Sequence, residues 1–463
     1  MPVAANTLGQ LSSLLGSDRL STDAAATRPF RVDGVTPAAV VEPTDAKELA
    51  AIVQWARSHQ VALLPATTGL YLPLGNPPAA IGVAVSLARL NRVLHYDPGD
   101  LTLGVEAGLP LAEMQKLLAG NGLFLPADPP YAGRAALGGL LAANASGPWR
   151  FAYGTWRDFV VGMKFVTGEG KLIKTGGRVV KNVAGYDLSK LLISSLGSLG
   201  IVTEINFRVF PQPRQTATFV AAFTEAHTAL AMRDRIVHSV WQPQALELLS
   251  PEAARLLHST PLSPVAPATG SVIPSDHWSL VVSVGGVEKV IQRYETDFSA
   301  LARELKAASF TVHHQEEERA LWAGVRDFLP RTRESNPATT VVKAALPLTQ
   351  IGPFLGRGQQ VAARYELAAA AGAHAGSGIA FLYLLPDPGM ADAARRTAQA
   401  ATEMIHAGNN LGGRVTIPWC PTEVKRDVNV WGPLRDEFTL MQKLKQQFDP
   451  ERRLSPGRFM GRI

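Results

Sequence analysis

The residues best placed to hold a ligand lie between Gly133 and Pro211, where glycines punctuate short apolar runs. The stretch reads GRAALGGLLAANASGPWRFAYGTWRDFVVGMKFVTGEGKLIKTGGRVVKNVAGYDLSKLLISSLGSLGIVTEINFRVFP. Glycine at this density costs backbone entropy, so a fold keeps it where main chain approaches something closely or takes a positive φ. Apolar residues between such glycines suit a flat, partly apolar ligand laid against backbone. Gly138 and Gly139 open a short helix, which leaves their amides free to face an anion or a ring edge. Asn144 and Ser146 offer hydrogen bonds a few residues on. The same residues also suit tight packing of a helix on a sheet, with Asn144 capping a turn. No G-x-G-x-x-G follows a strand and no G-x-x-x-x-G-K-[ST] occurs, so neither a Rossmann site nor a P-loop is supported.

Catalytic chemistry is less clearly marked. Arg157, Lys181, Tyr186 and Arg326 have the chemistry to bind a carboxylate, although each also suits a surface or packing role. His313 and His314, beside Glu316, Glu317 and Glu318, are the one tempting metal cluster. Adjacent side chains on a strand point to opposite faces, so a solvated charged edge is expected there instead. Cys420 is the only cysteine. An intramolecular disulfide is therefore impossible, and so is an internal iron–sulfur cluster, which needs about four thiolates.

The elements that must position these groups follow from periodicity. Thr44 to Gln60 reads as a helix with Thr44 as N-cap and Leu49, Ala50, Val53 and Ala56 on one stripe. Short strands are expected at Val61–Pro65, Gly82–Leu87, Arg92–Tyr96 and Leu101–Glu106, then a helix over Leu111–Asn121 ended by Gly122. Asp187 caps a short helix stopped by Gly197. The next strand alternates, with Ile201, Thr203, Ile205 and Phe207 on one side and Glu204, Asn206 and Arg208 on the other. Pro211 and Pro213 close a first domain.

Beyond it, Ala217–Phe223, Trp278–Val284, Thr339–Leu346 and Gly378–Leu385 read as strands, each followed by a helical segment. The segment Thr260–Asp276 reads as a surface loop by composition. Ala368–Ala375 is alanine-rich and reads as the end of a packed helix. The division expected is residues 1–213, 214–408 and a closing segment 409–463.

Composition sets the class. The 463 residues are 46% hydrophobic and 18% charged with net charge +6, as in a core-forming globular chain with a mildly basic surface. No apolar run reaches the ~18 residues needed to cross a bilayer. The N-terminus MPVAANTLGQLSSLLGSDRL lacks a positive leader ahead of an apolar block. A cytoplasmic protein is expected, peripheral to a membrane only through a partner. Nothing resembles a nucleic-acid-binding module.

The run GGRVVKNVAGYDLSKLLISSLGSLGIVTEINFRVFP, Gly176–Pro211, resembles the FAD-binding domain of the vanillyl-alcohol oxidase type. Within that group it is most similar to the FAD-binding subunits of glycolate oxidase, strongly over the first half of the chain. The resemblance implies an α+β fold: a two-part FAD-binding domain with an α/β cap domain. The ending FDPERRLSPGRF is similar to the family's closing segment, which returns to the FAD domain; Ser455 stands where asparagine is usual.

Two FAD loops are implied. One is Ala66-Thr67-Thr68-Gly69, where relatives carry several consecutive glycines around the pyrophosphate and this chain keeps only Gly69. The other runs from Gly138 and Gly139 to Asn144, Ser146 and Gly147. Gly154, Gly200, Ile201 and Val202 are implied as further flavin neighbours, with Pro129 bordering the ring. Covalent links in this superfamily use histidine or cysteine; the loop Pro65–Pro78 has neither, so noncovalent FAD is expected.

Relatives that oxidise 2-hydroxy acids with a metal carry histidine-rich strands in the second domain. The comparable stretch here, SGIAFLYLLP, has none, so no metal site is expected. The activity implied is FAD-dependent oxidation of a small 2-hydroxy acid such as glycolate, within a complex whose iron–sulfur subunit accepts the electrons. The alternative is a flavin-bearing relay subunit without substrate oxidation of its own.

Overall fold

The computed structural model describes residues 3–178, 186–259 and 272–463. Lys181 and most of the loop expected at Thr260–Asp276 lie outside the described residues.

Two sheets build the first domain. In one, Ala39–Val41, Val83–Ser86 and Leu63–Ala66 run parallel, with Leu20–Ser21 antiparallel at the edge. In the other, Val93–Asp97, Thr102–Glu106, Ile201–Arg208, Val160–Val166 and Leu172–Gly176 form an antiparallel set. Ile201–Arg208 alternates as its sequence requires, with Ile201, Thr203, Ile205 and Phe207 buried. The helix Ala46–Ser58 buries Leu49, Ile52, Val53 and Ala56 and packs against strands Val160–Val166 and Leu172–Gly176.

Its cap differs from the sequence expectation. Asp45, not Thr44, accepts from the amides of Lys47 at 2.7 Å and Glu48 at 2.9 Å. An anionic acceptor at a helix start outcompetes a hydroxyl because it also meets the positive end of the dipole. Thr44 instead donates its amide and its hydroxyl to Glu48, at 2.8 and 2.9 Å.

Eight antiparallel strands build the second domain. Their order is Ser309–His313, Gln215–Phe223, Trp278–Gly286, Ala245–Leu249, Ala368–His374, Ile379–Leu385, Thr340–Ala345 and Arg414–Trp419. Ala368–His374 corrects the helical reading of that alanine run. It pairs along its whole length with Ile379–Leu385 and over its second half with Ala245–Leu249. Alanine favours helix by only a fraction of a kcal/mol per residue. Small side chains let this interior strand carry helices on one face and a second layer on the other, and that packing overrides the propensity.

Helices Ala226–Val237, Glu288–Glu304, Ile351–Arg364 and Ala393–Asn410 share one core with one face of this sheet. The opposite face, with Leu249, Val341, Tyr383, Leu385 and Trp419, merges into the core of the first domain.

After residue 408 the chain first supplies the edge strand Arg414–Trp419 and only then crosses over. Leu454 forms a parallel bridge to Leu63, and Leu63 exchanges backbone hydrogen bonds with Arg453 and Ser455 at 2.8 and 2.9 Å. Lys445 locks this crossing. Its buried ammonium donates to Asp449 at 2.7 Å, to the Ser198 carbonyl at 2.8 Å and to the Leu454 carbonyl at 3.0 Å. Asp449 in turn accepts from the amides of Arg453 and Leu454.

Breaking one partner of such a pair strands the other charge. Lys445→Met should therefore lower the unfolding free energy by about 3–5 kcal/mol, read from the urea midpoint. The double variant Lys445→Met with Asp449→Asn should recover part of that loss.

Candidate cofactor and substrate site

Two adjoining cavities hold the candidate site, the first within the first domain and the second between it and the cap sheet. The first runs between the loop after strand Leu63–Ala66, the helix Leu137–Ala143 and the turn before strand Ile201–Arg208. Ala66, Thr67, Thr68, Gly69, Gly138, Gly139, Gly200, Ile201 and Val202 all line it. The sequence-derived set thus converges on one cleft from three separate segments.

Local geometry explains the small residues. Gly69 sits at φ +76°, where a Cβ would come 2.8 Å from the Pro29 carbonyl. A Cβ on Gly138 would lie 3.0 Å from the Ala107 carbonyl, and one on Gly139 would lie 2.9 Å from the Thr67 hydroxyl. One detail of the sequence reading is overturned: the Gly138 amide is not free, because it donates to Ala107 O at 2.6 Å. The tight approach of this helix to the sheet edge consumes it. The next amide, that of Gly139, has no backbone partner among the described residues. Arg458, from the closing segment, also lines the cleft. Its guanidinium donates to the carbonyls of Leu72 and Leu74 while Nε remains unpartnered, and burial pushes its pKa down to about 10.

The second cavity shares Tyr71 and Ala143 with the first. Asn144, Ser146 and Gly147 form its first-domain wall. Asn144 ends the helix in the left-handed region, at φ +48°, and its buried Oδ1 has no partner. Ser146 accepts from Arg150 Nη1 at 3.0 Å. Pro129 and Gly154 line neither cavity. Pro130 takes the place expected of Pro129, and its carbonyl accepts from the Tyr71 hydroxyl. Gly154, at φ +89°, lets the chain turn tightly against the Asp158 carboxylate that caps the next helix.

The inner face of the eight-stranded sheet forms the opposite wall, and its polar residues escaped the sequence reading. Glu247 and His374 are direct cross-strand partners. His374 Nδ1 lies 2.8 Å from both Glu247 oxygens. Lys343 stands two strands from His374, opposite Phe381, and makes no hydrogen bond or ion pair with the protein among the described residues. Asp128, half-buried beside Gly147, accepts from the Trp149 amide at 3.2 Å.

Burial dominates the titration of all four. It pushes Lys343 down to about 8, aided by Arg150, and pushes Asp128 up to about 7 against the pull of the Trp149 amide. Glu247 is raised well above the ordinary carboxylate value, and His374 is lowered to about 3 by burial and Arg150. The last two titrate as a unit. When the pair is deprotonated, Nδ1–H donates to Glu247 and Nε2 is left as acceptor.

A signal for these residues exists in the sequence. Glu247 and Lys343 are single charges inside apolar strands, ALELL and VVKAA. His374 was hidden because its strand reads as helix.

The described candidates for carboxylate binding are elsewhere or committed. Arg157 donates to the Lys190 carbonyl at 2.7 Å, and Tyr186 is 93% exposed. Arg326 lines the second cavity, yet its guanidinium is held by Asp327 at 2.7 Å. The solvated edge expected at His313–Glu318 holds for His314, Glu316 and Glu317, which are exposed, and is corrected for His313 and Glu318. His313 is buried between Thr311 and Glu317, and buried Glu318 accepts from the hydroxyls of Thr216 and Thr218. A polar network satisfied internally replaces hydration there. Among the described residues no group of three or more His, Cys, Asp or Glu side chains is placed to hold a metal. None of the described helices is long and apolar enough to cross a membrane.

A glycine-lined cleft opening onto a cavity under an antiparallel cap sheet defines a two-domain FAD flavoprotein of the vanillyl-alcohol oxidase type. Comparison bears this out: the FAD binding domain family matches residues 37–176, and the family of FAD linked oxidases, C-terminal domain, matches residues 212–459. The chain belongs to the FAD-linked oxidases and is an FAD-dependent oxidoreductase.

It is 27% identical to glycolate oxidase subunit GlcD of Bacillus subtilis (strain 168) over 427 residues, 92% of this chain and 89% of that protein. To glycolate oxidase subunit GlcE of Escherichia coli (strain K12) it is 45% identical over 142 residues, 30% of this chain and 40% of that one. The fold matches that of p-cresol methylhydroxylase with substrate bound, at TM-score 0.79 and 17% identity, covering 98% of this chain and 97% of the other.

The residues present fit FAD. A cradle that a Cβ would fill, a free amide at Gly139 and an orphaned acceptor at Asn144 are what a flat dinucleotide with ring N–H groups would satisfy. Gly139→Val fills the cradle. It should reduce flavin content by at least tenfold while leaving the far-ultraviolet circular dichroism intact, as measured by absorbance of the purified protein before and after added FAD.

Proposed function

We propose that this chain uses noncovalent FAD to oxidise the carbinol carbon of a small 2-hydroxy acid and delivers the electrons to a separate iron–sulfur protein. One observation carries the reading: Lys343, without an acid partner among the described residues, lines the same cavity as the Glu247–His374 pair two strands away, next to the FAD cleft. A half-buried cation without a counter-ion, partly desolvated as its lowered proton affinity shows, calls for an anionic ligand. A hydroxy acid supplies both the carboxylate for Lys343 and the hydroxyl proton for His374 Nε2. FAD, when bound, supplies the hydride acceptor. A relay subunit without substrate oxidation would leave Lys343 unexplained.

The FAD contacts follow from the cleft. The loop Ala66–Gly69 and the Gly139 amide suit the pyrophosphate, and Asn144 Oδ1 suits a ring N–H. The absence of histidine and cysteine from Pro65–Pro78 supports noncovalent attachment. Burial pushes the Cys420 thiol up to about 12, so it offers no ready nucleophile. One cysteine cannot build a cluster, and the likeness to two glycolate oxidase subunits supports a multi-subunit electron path.

Anaerobic mixing of the holoprotein with 2-hydroxy acids should bleach the flavin, with or without a chelator. If dithionite bleaches it but no 2-hydroxy acid does, the proposal fails.

Lys343 adds a pH signature. In the ligand-free protein it is protonated below about 8, so kcat/KM should fall as pH rises through that value. Lys343→Met should lose about 10- to 150-fold in kcat/KM, the loss of one charged hydrogen bond, and should lose that alkaline limb. Stability should move the other way. The unfolded chain binds the Lys343 proton up to 10.5 and the folded chain only up to about 8, so this residue's contribution to stability rises between those values.

A further inference from the structure

We infer that the preferred substrate is a 2-hydroxy monocarboxylic acid with an apolar side chain of several carbons, rather than glycolate or a dicarboxylic hydroxy acid. The inference rests on the hydroxy-acid reading above and extends it to the substrate's side chain.

The strand register places the chemistry in rows across the inner face of the sheet. One row pairs Glu247 with His374; the next runs Leu249, Gly372, Phe381, Lys343. Two residues further along the strands, about 7 Å away, the row is Ala370, Tyr383, Val341, Trp419. That third row carries no charge. Phe328 closes on it edge-to-face with Tyr383, ring centroids 4.7 Å apart, and Leu329 and Val325 line the same cavity.

Two of the guanidiniums near this row are engaged, while Arg150, which donates to Ser146, lies toward the Glu247–His374 pair instead. Arg326 is held by Asp327, and Arg333 lies over the Trp419 ring at 4.6 Å and donates to the Tyr131 hydroxyl at 2.9 Å. An acid anchored at Lys343 with its hydroxyl toward His374 can direct its side chain along this apolar row.

Glycolate has no side chain to cover that wall. A second carboxylate would be desolvated against it without a counter-ion. Each methylene laid on the wall is worth about fourfold in kcat/KM, the equivalent of ~0.8 kcal/mol.

The holoprotein should be reduced anaerobically by glycolate, lactate, 2-hydroxybutyrate, 2-hydroxyhexanoate and 2-hydroxyglutarate in turn. The expected result is kcat/KM rising about fourfold per methylene to 2-hydroxyhexanoate, with 2-hydroxyglutarate far below it. Calorimetric binding of acetate, butyrate and hexanoate should show the same slope without any turnover. Val341→Thr, nearly isosteric, should weaken hexanoate binding severalfold and acetate binding less.

A flat series, or glycolate or 2-hydroxyglutarate as the best reductant, overturns the inference while leaving the hydroxy-acid reading intact. If no hydroxy acid bleaches the flavin but the carboxylate slope persists, the oxidation reading fails and the apolar subsite stands. If that slope is absent too, both fail.

Discussion

The eight-stranded sheet of the second domain is covered on both faces, by four helices on one and by the first domain together with helices Pro251–Ser259 and Gln315–Arg326 on the other. The charged side chains at the middle of the inner face, Glu247 and Lys343, are therefore drawn into a low-dielectric seam. A buried polar group there persists only if it is paired or has a ligand to meet. Glu247 and His374 satisfy each other. Lys343 does not, and its lowered proton affinity is the direct consequence. The electrostatics of the site thus follow from double coverage of the sheet rather than from any local motif.

The same constraint shapes the first domain. The helix Leu137–Ala143 approaches Ala107 and Thr67 so closely that Gly138 and Gly139 have no room for a Cβ beyond a strained contact. Close approach uses up one amide and exposes the next. Threonines in place of glycines after strand Leu63–Ala66 narrow the loop but bring hydroxyls to the cleft wall.

Closure of the two domains on each other depends on the returning C-terminal segment. It pairs with Leu63, anchors through the Lys445–Asp449 pair and places Arg458 at the cleft. A second buried pair, Lys425 with Asp33 at 2.9 Å, joins the same segment to the N-terminal region. Both sets of contacts link positions hundreds of residues apart, so the cleft forms only once the whole chain has folded.

Local rules in the sequence already determined the glycine-rich cleft, the amphipathic helices and the alternating strand Ile201–Arg208. Those features depend on φ preferences and on periodicity within a few residues. The single cysteine likewise settled that no cluster resides in this chain. Tertiary structure decided what depends on partners far along the chain. Asp45 took the cap from Thr44 by geometry too fine for periodicity to reveal, and the Ala368–His374 run became a strand because its neighbours on both sides are strands. His374 meets Glu247, 127 residues earlier, and that distance is why the pair was illegible. Cross-strand register, not sequence spacing, brings them together, and only double burial of the sheet turns two ordinary residues into a proton-accepting pair.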